Sequence, residues 1–307
     1  ITRADVNYDG INVYGDEAMA DRKAKLSTSK VNVKLTSDLG RISFVVGACM
    51  LGFVFLVFLI SVFYTPYNPN MTDASNILKA PSFEHLFGTD HLGRDVLSRI
   101  MSASKYTIFV SFAGIAIALV LGMLMGLTAG YWGGIYDKAI MLLSNSIMCF
   151  PGILLALVAV AVFGSSMLNV VFALGIVFSP SFARVLRTGT IAISNREYIL
   201  HAKILKVNPF RIMVVHILPN LLTALIPAVV IGLANMTLFE SAMSFLGLGV
   251  QPPAASYGKM LSDAQSYVTT SPWLIVFPAF MLILYILGLY FISEGVRIRT
   301  SRGGTIE

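Results

Sequence analysis

Charged residues and cysteines are scarce in this chain of 307 residues. Asp, Glu, Lys and Arg together account for 12% of the sequence, whereas 56% of the residues are hydrophobic. This balance excludes an ordinary water-soluble enzyme and predicts an integral membrane protein. The two cysteines, Cys49 and Cys149, both fall inside apolar runs, where the sequence indicates neither a disulfide nor a metal pair.

Signatures of catalysis and of nucleotide binding are also missing. The sequence contains no Gly-x-x-x-x-Gly-Lys-Ser/Thr phosphate loop, no His-Glu-x-x-His and no Gly-x-Ser-x-Gly. No basic patch is interleaved with aromatic residues in the way that nucleic-acid-binding surfaces are. We therefore predict that the chain itself carries no catalytic, cofactor-binding or metal-binding residues and that nucleic acid is not a partner.

Long runs without charge predict six membrane-spanning helices and hence an all-α fold. Crossing the bilayer takes about 20 predominantly apolar residues per helix. One run, residues 139–183, is long enough to cross twice, and the polar residues 164–166 divide it. The predicted spans cover residues 42–64, 106–130, 139–163, 167–187, 221–243 and 273–293.

The placement of Lys and Arg predicts that both termini are cytoplasmic. Because the number of spans is even, the two ends of the chain share one side, and cytoplasmic ends put most of the 22 basic residues inside. The predicted organisation is a cytoplasmic tail at 1–40, a first span with an extracytoplasmic segment at 41–104, a five-helix core at 105–295 and a second cytoplasmic tail at 296–307.

A basic segment between the fourth and fifth spans carries two helix-start signals. Ser194 and Glu197 have the spacing of a capping box, which predicts that a helix begins there. Asn208 followed by Pro209 predicts a second helix start, so the chain should bend near Val207. This interpretation gives a compact, kinked knob in the cytoplasm, and the alternative is an ordinary basic loop between spans.

The two helices of this knob have predicted faces and ends. Ile199, Ala202 and Leu205 recur at nearly helical spacing and predict one apolar face on the first helix. Lys203 is expected on its polar side. Pro219 is predicted to mark the far end of the second helix, since proline interrupts helical hydrogen bonding.

Small, kinking and polar residues recur within the predicted spans. Gly122, Gly126 and Gly130 form a stripe that predicts close packing of the second span against another helix. One proline interrupts each of spans 3 to 6, either as a pivot beside a pathway or as ordinary membrane usage: Pro151, Pro180, Pro227 and Pro278. Four polar residues are candidates for lining a wet pathway, although they could instead join helices together: Asn145, Ser179, Asn235 and Glu240.

The stretch that follows the first span is predicted to lie outside the membrane. Thr89 or Asp90 can cap a helix that continues to Ser102, and its apolar and polar sides predict that it lies on the outer membrane surface. Histidines and aspartates around this point could also be imagined as a metal site, but nothing in the sequence determines their geometry: His85, Asp90, His91 and Asp95.

Three motifs in this order resemble a known family. They are FGTDHLGRD at residues 87–95, the segment 197–220 that ends in His-Ile-Leu-Pro-Asn, and SFLGLGVQPP at residues 244–253. Together they resemble the C-type permease subunit of bacterial oligopeptide, dipeptide and nickel ABC importers, over roughly residues 40–295. The resemblance implies the transmembrane domain of a type I ABC importer in the bacterial cytoplasmic membrane.

The resemblance also implies a function and partners. The chain would form half of a heterodimeric pathway for ATP-driven import of peptides, with nickel or a metallophore as the alternative cargo. A stand-alone carrier or channel is the alternative of a different class. The implied partners are a second permease, two cytoplasmic subunits that bind ATP and Mg²⁺, an extracytoplasmic solute-binding protein, and membrane lipid.

By the same resemblance, residues 188–220 form the loop that couples the permease to its ATPase. The matching residues expected at that contact are Glu197, Tyr198, Ala202, Lys203, Leu205, Lys206, Asn208, Pro209 and Phe210. The chain departs from the family in two places: it has Leu200-His201-Ala202 where Glu-Ala-Ala is common, and Lys206 where glycine is common at the bend. Either the bend is wider here, or Lys206 adopts a strained left-handed conformation.

Overall fold

The computed structural model describes residues 39–303, with side chains to residue 299, so most of the predicted N-terminal tail and the last residues of the chain lie outside the described part. The described residues form helices and connecting loops, with one isolated bridge between Thr89 and Asp95. We number the helices as follows: α1 Leu39–Phe63, α2 Val96–Trp132, α3 Gly134–Met148, α4 Gly152–Phe163, α5 Met167–Ser194, α6 Glu197–Ile204, α7 Pro209–Phe245, α8 Tyr257–Ala264 and α9 Trp273–Gly303.

The predicted spans correspond to these helices. Within residues 39–303, five helices are long and apolar enough to cross a membrane, namely α1, α2, α5, α7 and α9, and the count reaches six if α3 and α4 together form one span. The predicted all-α class is confirmed. Large apolar side chains such as Leu56 and Phe63 remain exposed on the outside of the bundle, as expected where the solvent is lipid.

The third predicted span is not one straight helix. Helices α3 and α4 meet at an angle of 87°. The break falls at residues 149–151, where Pro151, with ψ of 118°, is non-helical and is the N-cap of the next helix. Proline has no amide hydrogen and disfavours a helical conformation in the residue before it, which accounts for the interruption.

The prolines of the later spans behave differently. Pro180, Pro227 and Pro278 lie inside continuous helices, so unlike Pro151 they do not end a helix, and their role as pivots stays a prediction. The carbonyl of Pro227 accepts a hydrogen bond from Ser293 of α9 at 3.0 Å. This bond joins α7 to α9, but the carbonyl that Pro227 leaves without its helical donor is that of Thr223, four residues earlier.

Glycines bring α2 and α5 into close contact. A Cβ atom on Gly122 would lie 2.6 Å from Cβ of Phe182, one on Gly126 would lie 2.5 Å from the carbonyl oxygen of Ala183, and one on Gly130 would lie 2.7 Å from Cβ of Thr190. No side chain fits at these distances. The predicted packing stripe is therefore confirmed, and its partner helix is α5.

A second glycine contact, which the sequence analysis did not identify, joins α1 to α9. A Cβ atom on Gly47 would lie 2.7 Å from the carbonyl oxygen of Gly288, and one on Gly295 would lie 2.7 Å from Cβ of Phe44. These glycines are spread over two helices far apart in sequence, so no single stripe marks them. The contact fastens the first helix to the last.

Helix α2 begins ten residues before the predicted second span. Its N-cap is Asp95, whose carboxylate accepts a hydrogen bond from the Ser98 amide at 2.8 Å. The residues predicted to form a separate interfacial helix are thus the first turns of α2, and the predicted cap at Thr89 or Asp90 is wrong. Ser98 and Arg99 lie on the polar side of that predicted helix, yet both are buried, because the preceding loop covers them through hydrogen bonds from the Tyr67 amide to Ser98 and from Arg99 to the Pro69 carbonyl.

Candidate functional site

The candidate site is the kinked segment, residues 196–211, which comprises α6, the bend after it and the start of α7. Helix α6 begins at Glu197 with Arg196 as its N-cap, and no side chain caps it. The predicted capping box is wrong because Ser194 is the last residue of α5. An N-cap residue needs an extended backbone, which a residue inside the preceding helix cannot adopt.

The bend is tight and has the hydrogen bonds of a Schellman motif. The Val207 amide donates to the Ala202 carbonyl at 3.1 Å, and the Lys206 amide donates to the Lys203 carbonyl at 3.0 Å. This motif requires a left-handed residue immediately after the helix. Lys206 occupies that position with φ of 55°, so the wider bend is excluded and the lysine carries the strain.

Replacing Lys206 with glycine should therefore stabilise the protein. Helix α7 ends with the same motif, in which Gly247 takes the left-handed position with φ of 82°. We expect Lys206→Gly to raise the free energy of unfolding by about 1 kcal/mol and Gly247→Ala to lower it by about the same amount. Thermal unfolding of the purified protein in detergent measures both, and a loss of stability in Lys206→Gly would contradict the assignment.

The second predicted helix start is confirmed. The Asn208 side chain accepts a hydrogen bond from the Phe210 amide at 2.9 Å, and Pro209 is the first helical residue. The helix does not end at Pro219, however. It widens into a π-helical turn over Ile212–Ile217 and continues to Phe245. A wider turn relieves the clash between a proline ring and the carbonyl group four residues earlier.

The kinked segment presents an apolar tip. Ile204 is 75% exposed, Leu205 77% and Phe210 68%. Of the predicted apolar face, Ile199 is buried and Ala202 is partly buried against the bundle. Leu205 departs from that face because α6 ends at Ile204. The tip is therefore made of residues on both sides of the bend, and the sequence analysis missed Ile204.

The charged residues of the segment fall into two groups. Lys203 turns back to the bundle, where its Nζ lies 5.0 Å from the ring centroid of Tyr131 and 3.5 Å from the Ser194 carbonyl. The others, Arg196, Glu197, Lys206 and Arg211, are exposed, and none of them forms an ion pair with the described residues. Lys203 thus holds the segment against the bundle, and the exposed charged residues are available to a partner.

An ion pair braces α5 shortly before the segment. Arg187 donates two hydrogen bonds to the carboxylate of Asp137 on α3, at 2.5 and 2.6 Å. A bidentate pair of this kind has a defined geometry as well as charge complementarity. The two residues are distant in sequence, and the sequence analysis did not pair them.

The four candidate pathway residues do not form one cluster. Asn145 is exposed and accepts a hydrogen bond from Arg184 at 3.1 Å, while Asn235 accepts one from Tyr290 at 2.8 Å. Ser179 is buried and donates to the carbonyl of Ile176. Glu240 is completely buried. An open cavity of about 180 Å³ lies beside the break between α3 and α4.

Residues 87–95 fold as a turn whose charges pair with one another. The Asp90 carboxylate lies 2.7 Å from Nε of Arg94 and 3.5 Å from Nε of Arg99, and Asp95 lies 2.9 Å from Nδ1 of His85. No group of three or more potential metal ligands occurs among the described residues. Asp90 is thus paired with Arg94 and Arg99, and Asp95 is hydrogen-bonded to His85.

A further carboxylate lies just before this turn. Asp73 accepts hydrogen bonds from the hydroxyl and the amide of Ser75, which lower the pKa of its carboxyl. Its own amide donates to the Leu92 carbonyl at 3.1 Å. The segment after α1 is therefore fastened to the turn at 87–95, and the turn to α9, where the rings of Phe87 and Phe277 stack at 4.0 Å.

Comparison with solved structures identifies the class of fold. The chain is similar to the permease in inward-facing structures of the MetNI methionine ABC transporter, with a TM-score of 0.51 and 18% identity, over 67% of this chain and 95% of that chain. This likeness shows the helical fold of a type I ABC importer permease.

Sequence comparison identifies the family. Residues 118–299 match the model of the binding-protein-dependent transport system inner membrane component, and the chain belongs to this family. It is 37% identical to the dipeptide transport system permease protein DppC of Alkalihalophilus pseudofirmus, over 82% of this chain and 83% of the relative. It is 33% identical to the glutathione transport system permease protein GsiD of Pectobacterium atrosepticum, over 80% and 83%. The chain is therefore an inner-membrane permease of an ABC importer, a subunit that works with ATP-binding and substrate-binding partners.

Proposed function

We propose that this chain is one of two permease subunits in an ATP-driven importer of peptides. The substrate class rests on its relatives: a permease named for dipeptides and one named for glutathione, itself a short peptide, both match about four fifths of the chain. A second permease completes the pathway, and an extracytoplasmic solute-binding protein delivers the peptide. Cytoplasmic termini agree with the excess of Lys and Arg on that side.

In this proposal the kinked segment is the contact for a cytoplasmic ATP-binding subunit. Ile204, Leu205 and Phe210 expose apolar surface beside the charged residues Glu197 and Lys206. Exposed apolar clusters rimmed by polar groups are typical of protein interfaces. ATP and Mg²⁺ belong to the partner subunits, because this chain has no phosphate-binding loop.

The continuity of α7 supports a mechanism for coupling. The helix starts within the kinked segment at Pro209 and runs without a break, through the π-helical turn at Ile212–Ile217, to Phe245. A displacement of the segment by its ATPase therefore acts directly on a helix that crosses the membrane. Two arrangements of such helices would open the pathway alternately to the two sides.

The test is reconstitution of the complete complex in liposomes. We expect ATP-dependent uptake of a radiolabelled dipeptide that requires the ATP-binding subunits and the solute-binding protein. This chain alone should not transport. Uptake of nickel without uptake of peptide would contradict the substrate class, and transport by this chain alone without ATP would contradict the assigned mechanism.

A further inference from the structure

The sequence SFLGLGVQPP, residues 244–253, contributed to the family resemblance, but the coupling mechanism above does not use it. In the structure its first two residues end α7, and the rest lies in the loop of residues 246–256, which joins α7 to α8; we call it the outer loop because the proposed orientation places it on the extracytoplasmic side. Leu246, Gln251 and Pro252 are exposed on this loop, whereas Val250 and Ser256 are buried. The loop therefore combines exposed residues with buried ones.

One buried side chain holds the base of the loop to α7. The hydroxyl of Ser244 donates to Oε1 of Glu240 at 2.8 Å and accepts a hydrogen bond from the Val250 amide at 3.2 Å. Ser241 donates to the other carboxylate oxygen at 3.3 Å. Glu240 is thus connected through Ser244 to the backbone of the loop.

Glycines allow the loop and α8 to approach this point. A Cβ atom on Gly249 would overlap Ser244, and one on Gly258 of α8 would overlap the carbonyl group of Ser241. The last turn of α7 is therefore enclosed from two directions. Neither the loop nor α8 can slide along α7 at these contacts, because closely packed interiors do not deform continuously.

The surroundings make this attachment rigid. Glu240 has no exposed surface, with Thr107 of α2 and Ser256 beside its carboxyl group. Tyr257 of α8 is also buried, and burial raises the pKa of its hydroxyl, so it stays protonated. Pulling Ser244 away from Glu240 would leave a buried polar group without its partner, which is unfavourable in an apolar environment.

We propose that Glu240 and Ser244 form a clip that fastens the outer loop to α7. A force that the solute-binding protein applies to the loop is then transmitted along α7 to the kinked segment. The helix has 37 residues and so extends about 55 Å at about 1.5 Å per residue. Its two ends are the clip and the ATPase contact. Glu240 is a positioning residue here and not a pathway residue. The inference rests on the proposed function and adds a route by which the loaded solute-binding protein stimulates ATP hydrolysis.

Ser244→Ala tests the clip most directly, because it removes one hydroxyl and breaks both hydrogen bonds. Ser111→Ala is the matched control: Ser111 is an equally buried serine whose hydroxyl lies 2.8 Å from that of Thr237 on α7, about one turn from Glu240 and away from the loop. The measurement is ATP hydrolysis by the reconstituted complex, with and without peptide-loaded solute-binding protein. A merely structural role would lower stability without changing the ratio of the two rates.

We expect Ser244→Ala to keep its basal rate but to lose stimulation about fivefold or more, while Ser111→Ala responds like the wild type. Glu240→Gln, which keeps the shape and one acceptor, should lose less, and it carries the test if Ser244→Ala does not assemble. The inference would be overturned if Ser244→Ala kept full stimulation of ATP hydrolysis, or if Ser111→Ala lost as much stimulation as Ser244→Ala. If Glu240→Gln is the only variant that assembles, wild-type stimulation in that variant would overturn it. A wild-type complex that neither imports peptide nor responds to the loaded binding protein would instead overturn the proposed function.

Discussion

Placing aspartate at both Leu205 and Phe210 should detach the ATP-binding subunits and reduce peptide uptake about 100-fold. Both side chains are more than two-thirds exposed in the single chain, so the substitutions remove little contact within the folded permease. In the complex they would place two charges in an apolar interface, and such charges lose hydration without gaining a partner. Copurification in mild detergent measures attachment, and liposome uptake measures function.

Ile77→Asp provides the control for this variant. Ile77 is 48% exposed and follows the short 3-10 helix Ala74–Asn76, which lies in the segment between α1 and α2. An aspartate there adds charge at an exposed apolar position far along the chain from the kinked segment. It should leave the ATP-binding subunits attached. Normal attachment and uptake in the double variant would refute the role of the tip.

Charge reversal at Glu197 should lower uptake about tenfold while costing no more than about 1 kcal/mol of permease stability, the effect of a cation in the first turn of α6. Glu197 is exposed and forms no ion pair with the described residues, so a loss of transport larger than this small destabilisation explains is expected to arise at the partner. Lys203→Glu should behave differently, because Lys203 packs over Tyr131. That variant should lower both the unfolding temperature and uptake.

Three measurements separate these roles: thermal unfolding in detergent, copurification of the ATP-binding subunits, and uptake. Glu84→Lys reverses an exposed acid in the segment between α1 and α2 and should be neutral for the ATPase contact. If Glu197→Lys were as active as wild type, Glu197 would not belong to the contact. If Glu197→Lys lost stability as Lys203→Glu does, its effect would be internal to the permease.

The accuracy of the sequence interpretation differed between the two starts within the kinked segment. The Asn208-Pro209 start was predicted correctly because a side-chain cap followed by proline is decided by the local backbone. The predicted cap at Ser194 was wrong, although Ser194 and Glu197 have the spacing of a capping box. Whether Ser194 caps α6 or ends α5 depends on how far α5 continues, and packing of that helix decides this.

The same distinction holds across the membrane part. Charge-free length was enough to locate the helices, since the bilayer imposes a minimum length and requires every backbone group to be paired. It did not indicate that residues 96–105 extend α2, because the loop that buries Ser98 and Arg99 is held by contacts with distant residues. Nor did it show that Pro180, Pro227 and Pro278 stay inside their helices.

The sequence by itself determined the membrane class, the approximate spans, the glycine stripe of α2, the bend after α6 and the family, because each depends on local composition, spacing or motif. Only the tertiary structure decided which helices meet and what their polar residues do. Arg187 pairs with Asp137, Lys203 packs over Tyr131, and the Glu240 carboxyl group lies beside Thr107 of α2. The physical reason is that these interactions join residues that are far apart along the chain, and only the packed bundle brings them within contact distance.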